Sequence, residues 1–399
     1  MSTPSSPAPG AVPAARRSLA PDLARGFMLL VIATVHAHMF RIAVGGNAGY
    51  SLDGPLDTAA TAAMALFAEN RGYPMFAALF GYGLAQIALR RTAEGREWPW
   101  VRRLLRRRGR WLVAIGLAHG ILIFFGDIIA VYGLIALLFA GVMRWTDRRL
   151  LATAAAWGSV GTLVYSAVNS LAMDAAAEGG TVASPIGDLV MRVAMLPFFL
   201  PLLIIISVFP FMAGVWAARR RLLEEPERHR AFLTRLAAVG IPAAVVGGVP
   251  YMLTTVEVWQ PAAPVVAGVF WLHMLVGYAG GFGYAALIAL IALRLGARRG
   301  PVVTALAATG QRSMTSYLLQ SVAWLVLMPA YTLGLAAELG DAAAVGIGAA
   351  VWLATVVLAD LMRRAGFKQG PAEWFLRRMT YGDPAKARKE TKEDTGAPA

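Results

Sequence analysis

The chain has 399 residues, 58% hydrophobic and only 15% charged, with 37 Lys and Arg against 23 Asp and Glu and no cysteine. A soluble domain carries about a quarter charged residues, so this composition, with a mean hydropathy of +0.58, excludes an ordinary soluble enzyme, a disordered chain and a disulfide-stapled module. Without cysteine there is also no thiolate metal site and no cysteine nucleophile. The fold class that remains is all-α: a polytopic membrane bundle.

In chain order, residues 1–15 are mostly Ser, Pro, Ala and Gly and predict a disordered tail. Arg16-Arg17 precedes an apolar stretch, as in a twin-arginine signal, but Pro21, Asp22 and Arg25 follow too closely. The first span therefore stays as an anchor. A membrane helix needs about 17–25 apolar residues. About ten such segments read at 23–42, 73–89, 109–125, 128–143, 151–171, 195–218, 233–255, 266–292, 312–332 and 342–362. Gly277, Gly280, Gly281 and Gly283 predict a break or kink in the eighth. Segments 56–68 and 302–309 are apolar but short, as interfacial or re-entrant helices are. The span pattern divides into an N-terminal membrane region, 16–230, and a C-terminal one, 231–382. The second ends in an amphipathic interfacial helix, 371–380, with Pro371 at its start and Trp374 and Phe375 as anchors. Residues 383–399 are a charged tail, expected to be disordered.

Charge tests the span count, because Lys and Arg collect on the cytoplasmic side of short loops. With the N-terminus inside and ten alternating spans, 33 of the 37 basic residues fall on the inner side. They lie in the N-terminal tail, in 90–110, 144–149, 219–235 and 294–299, and in the C-terminal tail. Only Arg41, Arg71 and Arg192 fall outside, among ten acids that include Asp127, Asp188 and Asp341. Both termini are therefore expected in the cytoplasm. The net charge of +14 becomes an orientation device and an attraction for anionic lipids of the bilayer, and no nucleic-acid partner is expected. Arg far outnumbers Lys and Ala is abundant, which fits a GC-rich bacterial source and a place in the cytoplasmic membrane.

Ionisable residues inside a span are costly and are functional candidates by default. Asp22 and Arg25 open the first span, and His36 lies eleven residues after Arg25, about three turns on, so it shares their face. His38 points nearly opposite and reads as interfacial. His119 and Asp127 frame a Gly-Asp turn before an apolar run. Asp127 is a candidate helix N-cap and equally a carboxylate able to orient His119. His273 lies in the outer half of the eighth span with no role assigned. Ser313, Ser316, Tyr317, Gln320 and Trp324 follow helical spacing and form a polar stripe that must face other helices or a cavity. No phosphate loop, dinucleotide glycine pattern, nucleophile elbow or metal-ligand cluster is present.

Five segments resemble one bacterial family. Leu19-Ala-Pro-Asp22-Leu-Ala-Arg25-Gly26-Phe27 is similar to an "LDxxRG" opening, Phe76 to Gly83 to "FxxLFGxG", and His119 to Gly133 to "H…GDIL..Y". Gly310 to Ser321 is similar to "GRMxLTNYLxQS", and Gly370 to Gly382 to "GPxEWLxRxxTYG". Together they resemble the YeiB-like membrane proteins that carry the domain of unknown function 418. More distantly they resemble the transmembrane acyltransferase superfamily of the acyltransferase-3 proteins and heparan-glucosaminide N-acetyltransferases. Relatives commonly carry Asn at the position of His36 and at that of Ser316. The distant acyltransferases use cytoplasmic acyl-CoA and a histidine to acylate an acceptor across the membrane.

The resemblance implies a membrane-bound O- or N-acyltransferase with acyl-CoA as co-substrate rather than a tightly bound cofactor. In that reading His36, His119 and Asp127 are catalytic. Asp22, Arg25, Ser316, Tyr317 and Gln320 bind substrate, and Arg102, Arg103, Arg106, Arg107 and Arg108 hold coenzyme phosphates, whose geometry suits guanidinium forks. The acceptor would be a glycan or lipid-linked sugar. Two alternatives stay open: a transporter or lipid-handling protein with a proton-linked polar pathway, and an assembly partner without chemistry.

Overall fold

The computed structural model describes residues 19–45, 50–176, 184–296 and 299–382. The tails at 1–15 and 383–399 lie outside these residues. The described chain is all helical, as expected: α1 Leu19–Gly45, α2 Pro55–Phe67, α3 Gly72–Ala93, α4 Trp98–Leu122, α5 Ile128–Leu138, α6 Asp147–Ala176 and α7 Pro185–Arg219. There follow α8 Arg230–Thr255, α9 Ala263–Leu295, α10 Pro301–Gln311, α11 Ser313–Leu327, α12 Asp341–Arg364 and α13 Pro371–Tyr381.

Among the described residues seven stretches are long and apolar enough to cross a membrane. They are Leu19–Ile42, Pro55–Ala93, Asp147–Asn169, Pro185–Arg219, Arg230–Thr255, Ala263–Leu295 and Asp341–Arg364. The other three segments of the sequence pattern fall short for separate reasons. The first half of α4 is occupied by arginines, α5 has 11 residues and α11 has 15. At 1.5 Å per residue these last two reach about 16 and 22 Å, less than a hydrocarbon core of about 30 Å. The outward faces of α6, α7 and α8 expose Val160, Leu163, Ile186, Val190, Val239 and Val246. Such an apolar surface suits lipid rather than water.

The expected break in the eighth span does not occur. Helix α9 runs unbroken from Ala263 to Leu295. Its glycines serve close packing instead. A Cβ on Gly277 would sit 2.4 Å from the carbonyl oxygen of Asn70, and one on Gly281 would sit 2.8 Å from that of Arg71. They make room for the α2–α3 turn, where Asn70 has a left-handed φ of 56°.

The two halves of the chain interlock through α1, which packs on α3, α9, α10, α11 and α12. Short 302–309 is the heart of α10, which crosses α1 at van der Waals contact of the backbones. Gly26 faces the Leu306 carbonyl and Gly310 faces that of Asp22, each too close for any side chain. This crossing brings Asp22 and Gln311 together at 2.9 Å. It gives the bundle one basic end, where α1 begins and α4 and α13 meet.

A histidine–aspartate pair behind a basic cavity

The α4–α5 hairpin builds the most deeply buried acid–base pair. Gly116 on α4 and Gly133 on α5 let the helices touch: a Cβ on Gly116 would lie 2.0 Å from the Ala130 amide nitrogen, and one on Gly133 would lie 2.5 Å from that of Val113. The turn between them sets Asp127 at the start of α5. One carboxylate then does both jobs open to it from sequence. Oδ2 accepts from the Ala130 amide at 2.6 Å, capping α5, and Oδ1 meets His119 Nδ1 at 2.8 Å. With the Nδ1 hydrogen committed to Asp127, His119 Nε2 is the free basic nitrogen. It is buried with no hydrogen-bond partner among the described residues.

His36 joins this site through aromatic contacts. Tyr317 packs against both imidazoles, with ring centroids 5.8 Å from His36 and 5.4 Å from His119, and Phe124 packs on His36 at 5.0 Å. Tyr317 also lines a cavity of about 1030 Å³ that opens at the basic end of the bundle. Its wall is apolar where Phe76, Leu79, Phe80, Leu112, Ile128 and Ile129 contribute, and Tyr132 stands among them with an unpartnered buried hydroxyl. Its mouth carries Arg25, Arg90, Arg108, Arg219, Arg221, Lys368 and Arg377 against Asp22, Glu224 and Glu373. An anionic head with an apolar tail matches this distribution of charge.

Two acids at the mouth have structural work. Glu373 of α13 caps α11 from outside: its carboxylate accepts from the Met314 and Thr315 amides at 2.7 and 3.2 Å and from the Thr315 hydroxyl at 2.6 Å. That hydroxyl in turn accepts from the Ala372 amide in the first turn of α13 at 3.1 Å. The two helix starts thus cap one another, which satisfies donors that every helix N-terminus leaves open. Glu224 accepts from the Tyr82 hydroxyl, and the Leu223 amide donates to that same hydroxyl at 3.1 Å. Burial pushes the Glu224 carboxyl up to about 7, and neighbouring Glu225 adds to the rise.

The sequence-derived candidates distribute as follows. Asp22, Arg25, Arg108 and Tyr317 line the cavity. Asp22 and Arg25 form an ion pair at 3.5 Å. Ser316 and Gln320 are buried on α11 away from the cavity, with Gln320 Nε2 donating to Thr355 at 3.3 Å. Helix geometry divides the arginine run: Arg108 faces the cavity, Arg103, Arg106 and Arg107 line a separate groove, and Arg102 touches neither.

His38 is buried inside the bundle and meets Asp341 at 2.7 Å, stacked on Tyr50. Asp341 also pairs with Arg41 at 3.1 Å and accepts from the Ser51 amide at 2.7 Å and the Thr61 hydroxyl at 3.1 Å. The start of α12 folds over α1 from 303 residues away, so no local pattern reveals the pairing. Beside it His273 lies 3.2 Å from Arg71 and stacks on Tyr251. The cavity mouth also holds Glu224, Glu373, Lys368 and Arg377, which no local pattern marks as site residues, although the Gly370–Gly382 motif contains two of them.

Residues 217–383 match the family described as "Protein of unknown function (DUF418)". Over that segment the chain is similar to the YeiB-like DUF418 proteins. It is 25% identical to "Uncharacterized protein YxaH" of Bacillus subtilis (strain 168), a similarity covering 93% of this chain and 96% of that one. It is 26% identical to "Uncharacterized protein YeiB" of Escherichia coli (strain K12), over 91% of this chain and 96% of that one. No solved structure matches it. The DUF418 segment supplies Tyr317 and Glu373, whereas His119 and Asp127 precede it.

Proposed function

We propose that the protein is a multi-pass acyltransferase of the bacterial cytoplasmic membrane, moving an acyl group from cytoplasmic acyl-CoA to an extracytoplasmic glycan or lipid-linked sugar. In this reading α4, α5 together with the 3-10 turn Ala140–Arg144 that follows it, and α11 together with the segment after Leu327 complete about ten crossings, and both termini are cytoplasmic. The cavity mouth then faces the cytoplasm, because its basic residues belong to the segments that the charge rule puts inside. The observation that carries the reading is the His119–Asp127 pair, its free Nε2 separated by Tyr317 from a cavity with a basic mouth and an apolar wall.

The coenzyme phosphates lie against Arg25, Arg108, Lys368 and Arg377, and the acyl chain against the apolar wall. Displacement of the Tyr317 ring joins the cavity to the dyad. His119 Nε2 takes the proton of the acceptor hydroxyl or amine. The acceptor atom bonds to the thioester carbon, the carbon–sulfur bond breaks, and the proton leaves on the thiolate as free coenzyme thiol. Asp127 holds the imidazolium, and the Tyr132 and Tyr317 hydroxyls stand where an oxyanion needs donors. The absence of cysteine makes the test clean, since every thiol that appears comes from coenzyme. Protein in nanodiscs with acetyl-CoA and a panel of sugar acceptors should release thiol. His119→Gln and Asp127→Asn should each lower the rate at least 100-fold with binding retained.

A proton-linked transporter is the second reading, favoured by the buried His38–Asp341 network across the bundle from a cavity open at one end. Solute flux that depends on a proton gradient, with no thiol release, would select it.

A further inference from the structure

We propose that α4, α5 and α13 form a binding site for a phospholipid carrying two phosphodiester groups, distinct from the cavity and independent of the acyltransfer reading. Arg103, Arg106, Arg107 and Arg110 line one groove of about 570 Å³ with Trp100 and Tyr381. Their spacing of three and four residues sets them along one side of α4, and Arg103 to Arg110 spans about 10.5 Å of helix axis. That length accommodates two phosphates rather than one.

Charge pairing and crowding together mark these residues. Several other arginines of the basic end are answered by acids. Arg219 meets Asp147 at 2.8 Å, Arg91 meets Glu94 at 2.5 Å and Arg221 meets Glu225 at 2.7 Å. Arg363 and Arg364 share Asp360 at 2.8 and 2.6 Å. None of the ion pairs or side-chain hydrogen bonds of the described residues involves Arg103, Arg106, Arg107 or Arg110. Four guanidinium groups crowded without a counter-ion repel one another, and an external anion relieves that repulsion while using their bidentate geometry. Orientation alone needs positive charge, not four forks lining one groove.

The groove's apolar side identifies the source of the phosphates as lipid. Leu104 and Leu137 form part of its lining. Leu137 is followed by Leu138, which ends α5 and is 67% exposed. An acyl chain leaving the headgroup would cover Leu137 and Leu138, and Trp100 has the amphipathic ring that suits the membrane interface. A soluble polyphosphate would leave Leu138 bare.

The test measures lipid binding to the full-length protein in detergent by native mass spectrometry, titrating diphosphatidylglycerol, phosphatidylcholine and pyrophosphate. The site predicts saturable diphosphatidylglycerol binding and no comparable phosphatidylcholine binding. It predicts at least a tenfold loss of diphosphatidylglycerol affinity when Arg103, Arg106, Arg107 and Arg110 are all changed to Gln. Arg108→Gln, on the opposite side of the same helix, should leave that affinity unchanged. Changing the four to Lys keeps the charge that orients the chain and should still lower affinity at least threefold, because the forks are gone. Unaltered affinity in the lysine variant together with the glutamine variant would overturn the site. Competition by pyrophosphate at equal concentration would overturn the lipid assignment, and equal loss with Arg108→Gln would overturn its separation from the cavity.

Discussion

Replacing Glu373 with Ala should open the start of α11 without unfolding the bundle. The carboxylate accepts three hydrogen bonds, two from backbone amides and one from Thr315. Hydrogen bonds to a charged group contribute about 1.5–3 kcal/mol each when fully buried, and loss of a helix cap typically costs about 1 kcal/mol. Glu373 is half-buried at a solvent-open mouth, so water replaces part of what is lost, and about 2–3 kcal/mol is the expected local cost. At 1.36 kcal/mol per tenfold, that raises amide exchange at Met314 and Thr315 by about 30- to 150-fold. Glu373→Gln keeps one acceptor oxygen in place and should give a smaller rise. Hydrogen exchange followed by mass spectrometry on the peptide covering 313–320, with the peptide covering 263–295 as control, reads both. Equal exchange in wild type and Glu373→Ala would refute the mutual capping of α11 and α13, and with it the account of how Tyr317 is held at the cavity.

Other expectations follow from the same geometry. Gly116→Ala puts a Cβ 2.0 Å from the Ala130 amide, more than 1 Å inside ordinary contact, so α4 and α5 must separate. Overpacking of this kind costs about 1–3 kcal/mol, and thermal unfolding in detergent should fall along with any His119-dependent rate. Glu224 titrates near 4.5 when unfolded and at about 7 when folded. A raised carboxyl pKa contributes stability in full below about pH 4.5 and loses it as pH rises through about 7. Glu224→Gln should therefore flatten the stability profile between pH 5 and 8 in a thermal scan. An anion in the cavity should bind wild type more tightly at pH 6 than at pH 8, and the Gln variant with less difference.

Much of the fold was legible because helices in lipid announce themselves by apolar length. All ten apolar segments, both short ones and the C-terminal amphipathic stretch became helices. The break expected at the α9 glycines does not form because glycine serves two purposes: where a neighbouring backbone approaches as closely as the Asn70 carbonyl does, it is a packing device and the helix stays continuous. His119 and Asp127 could be paired from sequence because they sit eight residues apart on one hairpin. His38 and Asp341 could not, since the contact is made by tertiary packing of α12 on α1. The arginine run showed its charge but not its division, for α4 rotates Arg108 away from its neighbours only once the partners of α4 are known.

The most direct test of the central account is calorimetric titration of acetyl-CoA into the full-length protein in nanodiscs, beside a variant with Arg108, Lys368 and Arg377 changed to Gln. The cavity predicts saturable binding to wild type, weakened at least tenfold in that variant and unchanged when Arg103, Arg106 and Arg107 are neutralised instead. Absence of binding, or loss only with the Arg103, Arg106 and Arg107 set, would contradict it.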